Sequence, residues 1–266
     1  MTQPIYAIGD IHGFSEQLDR ALALIEDDGG PEAEVVFLGD YTDRGPDSKG
    51  VLERLIAGQT EGRNWRFVMG NHDRMFLRFV TQGIQHDDRI KSGLSWMNPR
   101  LGGTTTLRSY GVGGPDFPTF RSPQGKDVET FMSWWTDRGQ LSDQEVILAA
   151  REAVPEAHLN FLSTLPLWHE AGDLLFVHAG LRPGVPLDEQ EEDDLLWIRD
   201  GWLEDDRDHG RLVVHGHTAL DAPEHYGNRV NLDAGAGYGN RLVPAVFEDG
   251  SVFTLWPDGR RSLGPA

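Results

Sequence analysis

A chain of 266 residues, 38% hydrophobic and 25% charged, is long enough for one large α/β domain or two small ones. Its 43 acids against 24 bases leave a formal charge of −19, which opposes a nucleic-acid partner because phosphate backbones need basic tracks. Cysteine is absent, so disulfides, thiolate metal sites and cysteine nucleophiles are excluded, and any metal must sit on His, Asp, Glu or Asn. No apolar run approaches the ~20 residues needed to cross a bilayer. Met1 to Ile5 enters a strand with no basic and then apolar signal segment, so a cytoplasmic protein without a membrane partner is expected.

In chain order, Ile5–Ile8 reads as a short strand that ends in Gly9-Asp10-Ile11-His12-Gly13. Leu18, Ala21, Leu22 and Ile25 keep helical spacing, with Ser15 as the expected N-cap and Gly29-Gly30-Pro31 as the stop. The apolar run Val35–Leu38 reads as a buried parallel strand and ends in Gly39-Asp40-Tyr41-Thr42-Asp43-Arg44-Gly45. A helix through Val51, Leu52, Leu55 and Ile56 leads to a third strand, Trp65–Met69, which ends in Gly70-Asn71-His72-Asp73 before helical spacing resumes at Phe76. Asp10 to Asp40 is 30 residues and Asp40 to Asn71 is 31, the length of a βαβ repeat. Such repeats bring all three motifs to one edge of a parallel sheet.

The span from about 82 to 156 is less regular and reads as a helical and loop insertion in a single domain covering 1–266. Within it, Phe131, Trp134 and Trp135 fit one amphipathic helix and Val146–Ala150 another. A helix over His158–Leu165 stops at Pro166, and Leu167–Glu170 pairs with Leu174–Val177 across a tight turn. His178-Ala179-Gly180 follows. The acidic run Asp188–Asp194 reads as a solvated segment, and Leu195–Arg199 returns to the interior. Leu212–Val214 ends in His215-Gly216-His217-Thr218; Arg229–Leu232 and a hairpin of Leu242–Phe247 with Val252–Trp256 close the chain.

Taken singly, each motif residue has a bland reading: Asp10 could cap a helix, Asn71 and Asp73 could be turn residues, His178 a satisfied core histidine. Jointly those readings fail, because one sheet edge would collect uncompensated acids and imidazoles. Five of ten histidines (His12, His72, His178, His215, His217) immediately follow strands, which scattered structural histidines would not do. A two-metal site accounts for the set, since a shared carboxylate can hold two divalent ions about 3.5–4 Å apart and clamp an in-line displacement. The planar fork of Arg44 suits a phosphoryl group. The reaction class is metal-assisted phosphoester hydrolysis.

These five motifs, in this order and spread over residues 5 to about 247, resemble the phosphoprotein phosphatase family within the calcineurin-like metallophosphoesterases. The bacterial members, including the bacteriophage lambda phosphatase group, are the nearest in pattern. The resemblance implies an α/β (α+β) calcineurin-like fold, a two-sheet β-sandwich flanked by helices. It implies two divalent ions, manganese with iron or zinc as alternatives. Asp10 and His12 would hold the first, Asp40 would bridge, and Asn71, His178 and His217 would complete the second. His72 would be the general acid, oriented by Asp43. Arg44 and Arg199 would grip phosphate, Asn71 would also touch substrate, and His215 would support the metal site without binding it. Two departures stand out: Met69 where many members carry Arg, and Asp73 where Glu is commoner.

The leading expectation is therefore a protein serine/threonine phosphatase with a phosphoprotein or phosphopeptide partner, acting by direct attack of a metal-bridging hydroxide. A dinucleoside polyphosphate hydrolase, acting for example on diadenosine tetraphosphate, and a tyrosine phosphatase are the alternatives on the same site. A non-catalytic phosphoprotein-binding module is the alternative from another class, and it predicts eroded ligands. Asp43-Arg44 favours the protein phosphatase.

Overall fold

The computed structural model describes residues 3–113 and 142–265. Strand β1 (Ile5–Ile8), helix α1 (Ser15–Gly29), strand β2 (Glu34–Phe37), helix α2 (Ser48–Thr60), strand β3 (Trp65–Phe67) and helix α3 (Asn71–Gln82) make the repeating first part. Helices α4 (Gly103–Ser109), α5 (Asp143–Ala153) and α6 (Glu156–Ser163) follow. Strands β4 (Trp168–Ala171) and β5 (Leu174–Val177), helix α7 (Glu192–Trp197), and strands β6 (Leu212–His215), β7 (Glu224–His225) and β8 (Arg229–Asn231) form the second part. Strands β9 (Ala245–Glu248), β10 (Ser251–Trp256) and β11 (Gly259–Ser262) end the chain.

The strands form two mixed sheets, in the orders β11-β10-β9-β1-β2-β3 and β4-β5-β6-β8-β7. Adjacent β1, β2 and β3 run parallel, as do β5, β6 and β8, so the strand-end motifs of each group emerge on one edge. Period-2 alternation decides which face each residue serves. Ala7, Val36 and Leu38 point between the sheets and pack with Phe176, Val214, Val230 and Phe247. Their neighbours Tyr6, Ile8, Val35 and Phe37 point outward beneath α1, α2 and α3, against Leu18, Leu22, Ile25, Leu52, Leu55 and Phe76. On the second sheet, Leu175, Val177 and Val213 carry Leu195, Ile198 and Trp202. The result is the expected two-sheet sandwich with helices outside.

Several local expectations change. Phe14, not Ser15, holds the N-cap of α1, and no side chain caps it. Helix α4 (Gly103–Ser109) lies within the span read as less regular. The acidic run is not simply solvated: Arg74 bonds Glu192 (3.0 Å) and Asp193 (2.7 Å), while Asp194 is buried beside Arg182 (2.8 Å). Periodicity could not show this, because Arg74 lies more than a hundred residues away on α3. Strands β7 and β11 were not foreseen; the short Glu-His and the exposed Gly-Arg-Arg-Ser carry no apolar alternation. The helix expected around Phe131, Trp134 and Trp135 lies outside the described residues. Among the described residues no helix is long and apolar enough to cross a membrane.

Candidate active site

The loops at the ends of β1 and β2 are stitched to each other. His12 N–H donates to the Asp40 carbonyl (2.8 Å), Gly13 N–H to Tyr41 (2.9 Å), and Gly45 N–H back to His12 (2.8 Å). The third loop packs on them without a side chain between, since a Cβ at Gly70 would fall 2.1 Å from the Asp40 nitrogen. Asp73 completes the joint, its Oδ1 accepting from Tyr41 N–H (2.9 Å) and Thr42 N–H (3.2 Å), its Oδ2 from Gly70 N–H (3.1 Å). An Asp suffices where a longer Glu is commoner, because α3 starts directly against the Tyr41–Thr42 turn. Six non-glycine described residues have positive φ, and five of them (His12, Asp40, Asp43, Arg44, His217) belong to the expected site. Conformations this costly persist only where the surroundings enforce them, and they gather at working sites.

At the centre, Asp40 turns one carboxylate oxygen to each side: Oδ2 lies 3.5 Å from His12 Nε2, and Oδ1 lies 3.4 Å from His178 Nε2. Ligand atoms of His12, Asp40 and His72 lie within 4.8 Å of one another, and so do those of Asp40, His178 and His217. Asp10 extends the first group, 4.0 Å from His12 Nε2, with its oxygens accepting from His217 N–H (3.1 and 3.2 Å). Asn71 extends the second, its Oδ1 lying 2.8 Å from His178 Nε2 and 2.9 Å from His217 Nδ1. Backbone carbonyls orient two imidazoles: Thr42 O lies 2.9 Å from His12 Nδ1 and Leu38 O lies 2.8 Å from His178 Nδ1, which leaves both Nε2 atoms for the centre.

Electrostatics favour cations there. Burial pushes the Asp40 carboxyl up to about 7, against the pull of Arg44. Asp10 is raised well above the carboxylate range by burial and then by Asp233 and Asp40. Burial holds His12 and His217 well below the usual imidazole value and His178 down at about 4, so these rings are neutral, the form that binds metal. Crowded buried carboxylates facing neutral imidazoles and an amide oxygen fit two divalent ions of the manganese, iron or zinc type.

Beside this centre, His72 Nδ1 lies 2.7 Å from Asp43 Oδ2. The same oxygen accepts from the Trp96 indole N–H (2.7 Å), and Oδ1 accepts from the Thr106 hydroxyl (2.8 Å). Burial raises the Asp43 carboxyl well above the usual carboxylate range and lowers the His72 imidazole well below its ordinary value. Arg44 reaches both rings from outside, 2.8 Å from His12 Nε2 and 3.1 Å from His72 Nε2. Arg199 sits at the mouth, donating to the His217 carbonyl (3.1 Å). A groove of about 980 Å³ opens from Arg199 and His217 toward Asp221, Glu224, Tyr238 and Asn240.

All the expected site residues thus lie in one neighbourhood: Asp10, His12, Asp40, Asn71, His178 and His217 at the centre, His72, Asp43 and Arg44 on one flank, Arg199 on the other. His215 lies off the centre, its Nδ1 3.1 Å from its neighbour's carbonyl. Trp96, Thr106 and Asp233 were missed. Trp96 and Thr106 stand 53 and 63 positions from Asp43, with no local signal. Asp233 follows β8 by two residues, and the strand-end rule that found the other acids applies to it as well.

With this geometry in hand, residues 3–247 match the family model described as calcineurin-like phosphoesterase, and the chain belongs to that family. It is 25% identical to the asymmetrical bis(5′-nucleosyl)-tetraphosphatase PrpE of Bacillus subtilis, over 91% of this chain and 90% of that one. A symmetrical bis(5′-nucleosyl)-tetraphosphatase of Janthinobacterium is 44% identical over 72 residues, 27% of this chain and 25% of the relative. Among solved structures, one provisionally described as a diadenosine tetraphosphatase superposes with TM-score 0.59 at 23% identity, over 97% of this chain and 96% of that one. A cold-active protein-tyrosine phosphatase from Shewanella superposes at TM-score 0.53 and 16% identity, covering 99% of this chain and 81% of the other. At these identities the superpositions show the fold alone.

The expected phosphoprotein or phosphopeptide partner is overturned by these relatives, which are named for dinucleoside tetraphosphates. The reason lies in what the deciding motif does. Asp43 holds His72, and Arg44 faces the His12 and His72 rings; neither contact depends on what a phosphoryl group is attached to. Asp43-Arg44 therefore could not tell a protein from a nucleotide.

Proposed function

We propose that the chain is a metal-dependent hydrolase of dinucleoside tetraphosphates. Two findings support the reading: Asp40 offering one oxygen to each half of a buried ligand set, and relatives of that name aligned over nine-tenths of the chain. In this reading Asp10, His12 and Asp40 hold one ion, and Asp40, Asn71, His178 and His217 hold the other. When bound, two such ions lower the pKa of water and draw charge from phosphoryl oxygens.

The protein's own groups supply the rest. Arg44 and Arg199 orient the polyphosphate, and the amino end of α3, where Asn71 and His72 begin the helix, adds a favourable dipole for anions. His72 Nε2 accepts from Arg44 while the substrate is away. An arriving phosphate draws Arg44 to itself, and its negative charge raises the proton affinity of His72. The ring can then hold a proton at Nε2 and pass it to the leaving phosphate oxygen, while Asp43 keeps it oriented through Nδ1.

The deciding experiment compares diadenosine tetraphosphate with a phosphoserine peptide, with manganese added and then chelated. Nucleotide release that disappears on chelation is expected. Turnover of the peptide with the nucleotide left intact would overturn the reading.

A further inference from the structure

The groove beside the metal-ligand cluster has a polarity of its own. Arg199 and His217, which border the cluster, line the groove together with Asp221 and Glu224. Arg199 attracts an anion and the acids repel one, but carboxylate oxygens can accept from ribose hydroxyls or exocyclic amines. Tyr238 lines the same groove and is one of the few large hydrophobic side chains exposed among the described residues, at 43%. Arg44 lies over its ring, 4.7 Å from the centroid. Thr218, next to His217 on the same groove, has a buried hydroxyl without a hydrogen-bond partner among the described residues.

Tyr238 is also very close to the cluster. It ends a short turn, Ala236–Tyr238, whose middle residue touches the site: a Cβ at Gly237 would come within 2.5 Å of His12 Cδ2 and 2.9 Å of the Arg44 guanidinium. Only glycine lets the turn come this near. One guanidinium spans the gap, bonding His12 at one nitrogen while lying over the Tyr238 ring. In a nucleotide the phosphate nearest the base is the α-phosphate, so a ring this near the cluster favours that phosphate there.

Resting on the dinucleoside tetraphosphate reading, we propose that this groove is a nucleoside subsite in which Tyr238 stacks the base whose own α-phosphate occupies the metal-ligand cluster. Aromatic stacking recognises any base by its π-face, and Arg44 then ties base and phosphate recognition together. The register determines the products. A water oxygen bonds to the α-phosphorus and the bond to the next bridging oxygen breaks. That leaving oxygen takes the proton held at His72 Nε2, and the water's surplus proton passes to solvent. Diadenosine tetraphosphate plus water thus gives AMP plus ATP, not two ADP.

The test uses the metal-loaded protein and three measurements. Products from diadenosine tetraphosphate are resolved by chromatography. AMP and ribose 5-phosphate are then compared as competitive inhibitors of its hydrolysis, in the natural protein and in Tyr238→Ala and Tyr238→Phe. AMP and ATP are expected as products. AMP should inhibit about tenfold or more tightly than ribose 5-phosphate, that ratio should collapse toward one in Tyr238→Ala, and Tyr238→Phe should restore it. Taking the ratio within each variant cancels any loss transmitted through Arg44 to both inhibitors. Exclusive formation of ADP, equal inhibition by the two compounds in the natural protein, or a ratio unchanged in Tyr238→Ala each overturns the proposal while leaving the substrate class standing. No hydrolysis of diadenosine tetraphosphate would remove the substrate class itself, and this subsite with it.

Discussion

The loops at the ends of β1, β2 and β3 and the groove beyond His217 border the same cluster but are built in opposite ways. The first are held by backbone bonds between motifs, glycine contacts and residues locked at positive φ. The second is an open trough along Thr218–Ala222 and the turn at Tyr238, with exposed and half-exposed side chains. The rigid side holds groups that would serve any phosphoester: the buried carboxylates and imidazoles, the His72–Asp43 pair and Arg44. Features that would distinguish one phosphoester from another lie on the open side. Motifs therefore announce the reaction class, and on the proposed reading the substrate is selected where no motif reaches.

That contrast is broken most sharply at its centre. Asp40→Asn takes away the charge of the one carboxylate facing both halves, so metal content by elemental analysis should fall at both positions and activity should drop to background. Two ions retained with measurable turnover would mean that the bridge is elsewhere. His72→Asn leaves the proposed ligand set intact, so it should keep both ions and lose on the order of 10²–10⁴ in kcat, the usual share of a general acid. Normal turnover with two ions bound would remove His72 from that role.

A smaller effect is expected at Trp96, which reaches the rigid side from the irregular region. Trp96→Phe removes the indole donor from Asp43 Oδ2 but keeps an aromatic ring in the core. Hydrogen bonds to charged groups are worth about 1.5–3 kcal/mol, so kcat should fall roughly tenfold or somewhat more. Without that donor, Asp43 carries more unshared charge and His72 holds its proton more strongly. The alkaline limb of the pH–rate profile should therefore move to higher pH. A residue that only filled space would lower stability and leave that limb in place.

The difference between the two sides also explains how much could be read in advance. Asp10, Asp40, Asn71 and His178 were visible because each immediately follows an apolar strand, and the spacing of 30 and 31 residues placed the first three on neighbouring parallel strands. Asp233 obeyed the same rule, after a strand that was itself foreseen, but it has no histidine or arginine beside it to mark it as part of a motif. Trp96 and Thr106 gave no sign, since a contact made across 53 or 63 residues depends on how α3 and α4 pack. The partners of Glu192 and Asp193 were hidden in the same way. Substrate class was misjudged for a different reason: Asp43-Arg44 was asked a question that its chemistry does not answer.

His158 tests the converse, that a buried imidazole need not belong to a site. It lies on α6 away from the cluster, 4% exposed, with Nδ1 2.7 Å from the Tyr110 hydroxyl. Burial lowers its pKa from the ordinary value; Glu53 opposes that shift and Lys49 adds to it. For a base whose folded value is depressed, the unfolded chain binds more protons, so stability rises with pH across the affected range. The contribution is fully present above the unfolded value of about 6.5 and is lost as pH falls through it toward the lower folded value. His158→Gln cannot titrate but can still accept from Tyr110. Its urea midpoint should therefore fall less between pH 7 and pH 5.5 than that of the natural protein, while kcat at pH 7 stays the same. The cluster imidazoles titrate in both proteins and cancel in the comparison. Equal falls in the two midpoints would mean that His158 is not the group being protonated. A change in kcat would mean that the helical flank takes part in the chemistry and that the division between rigid and open sides is incomplete.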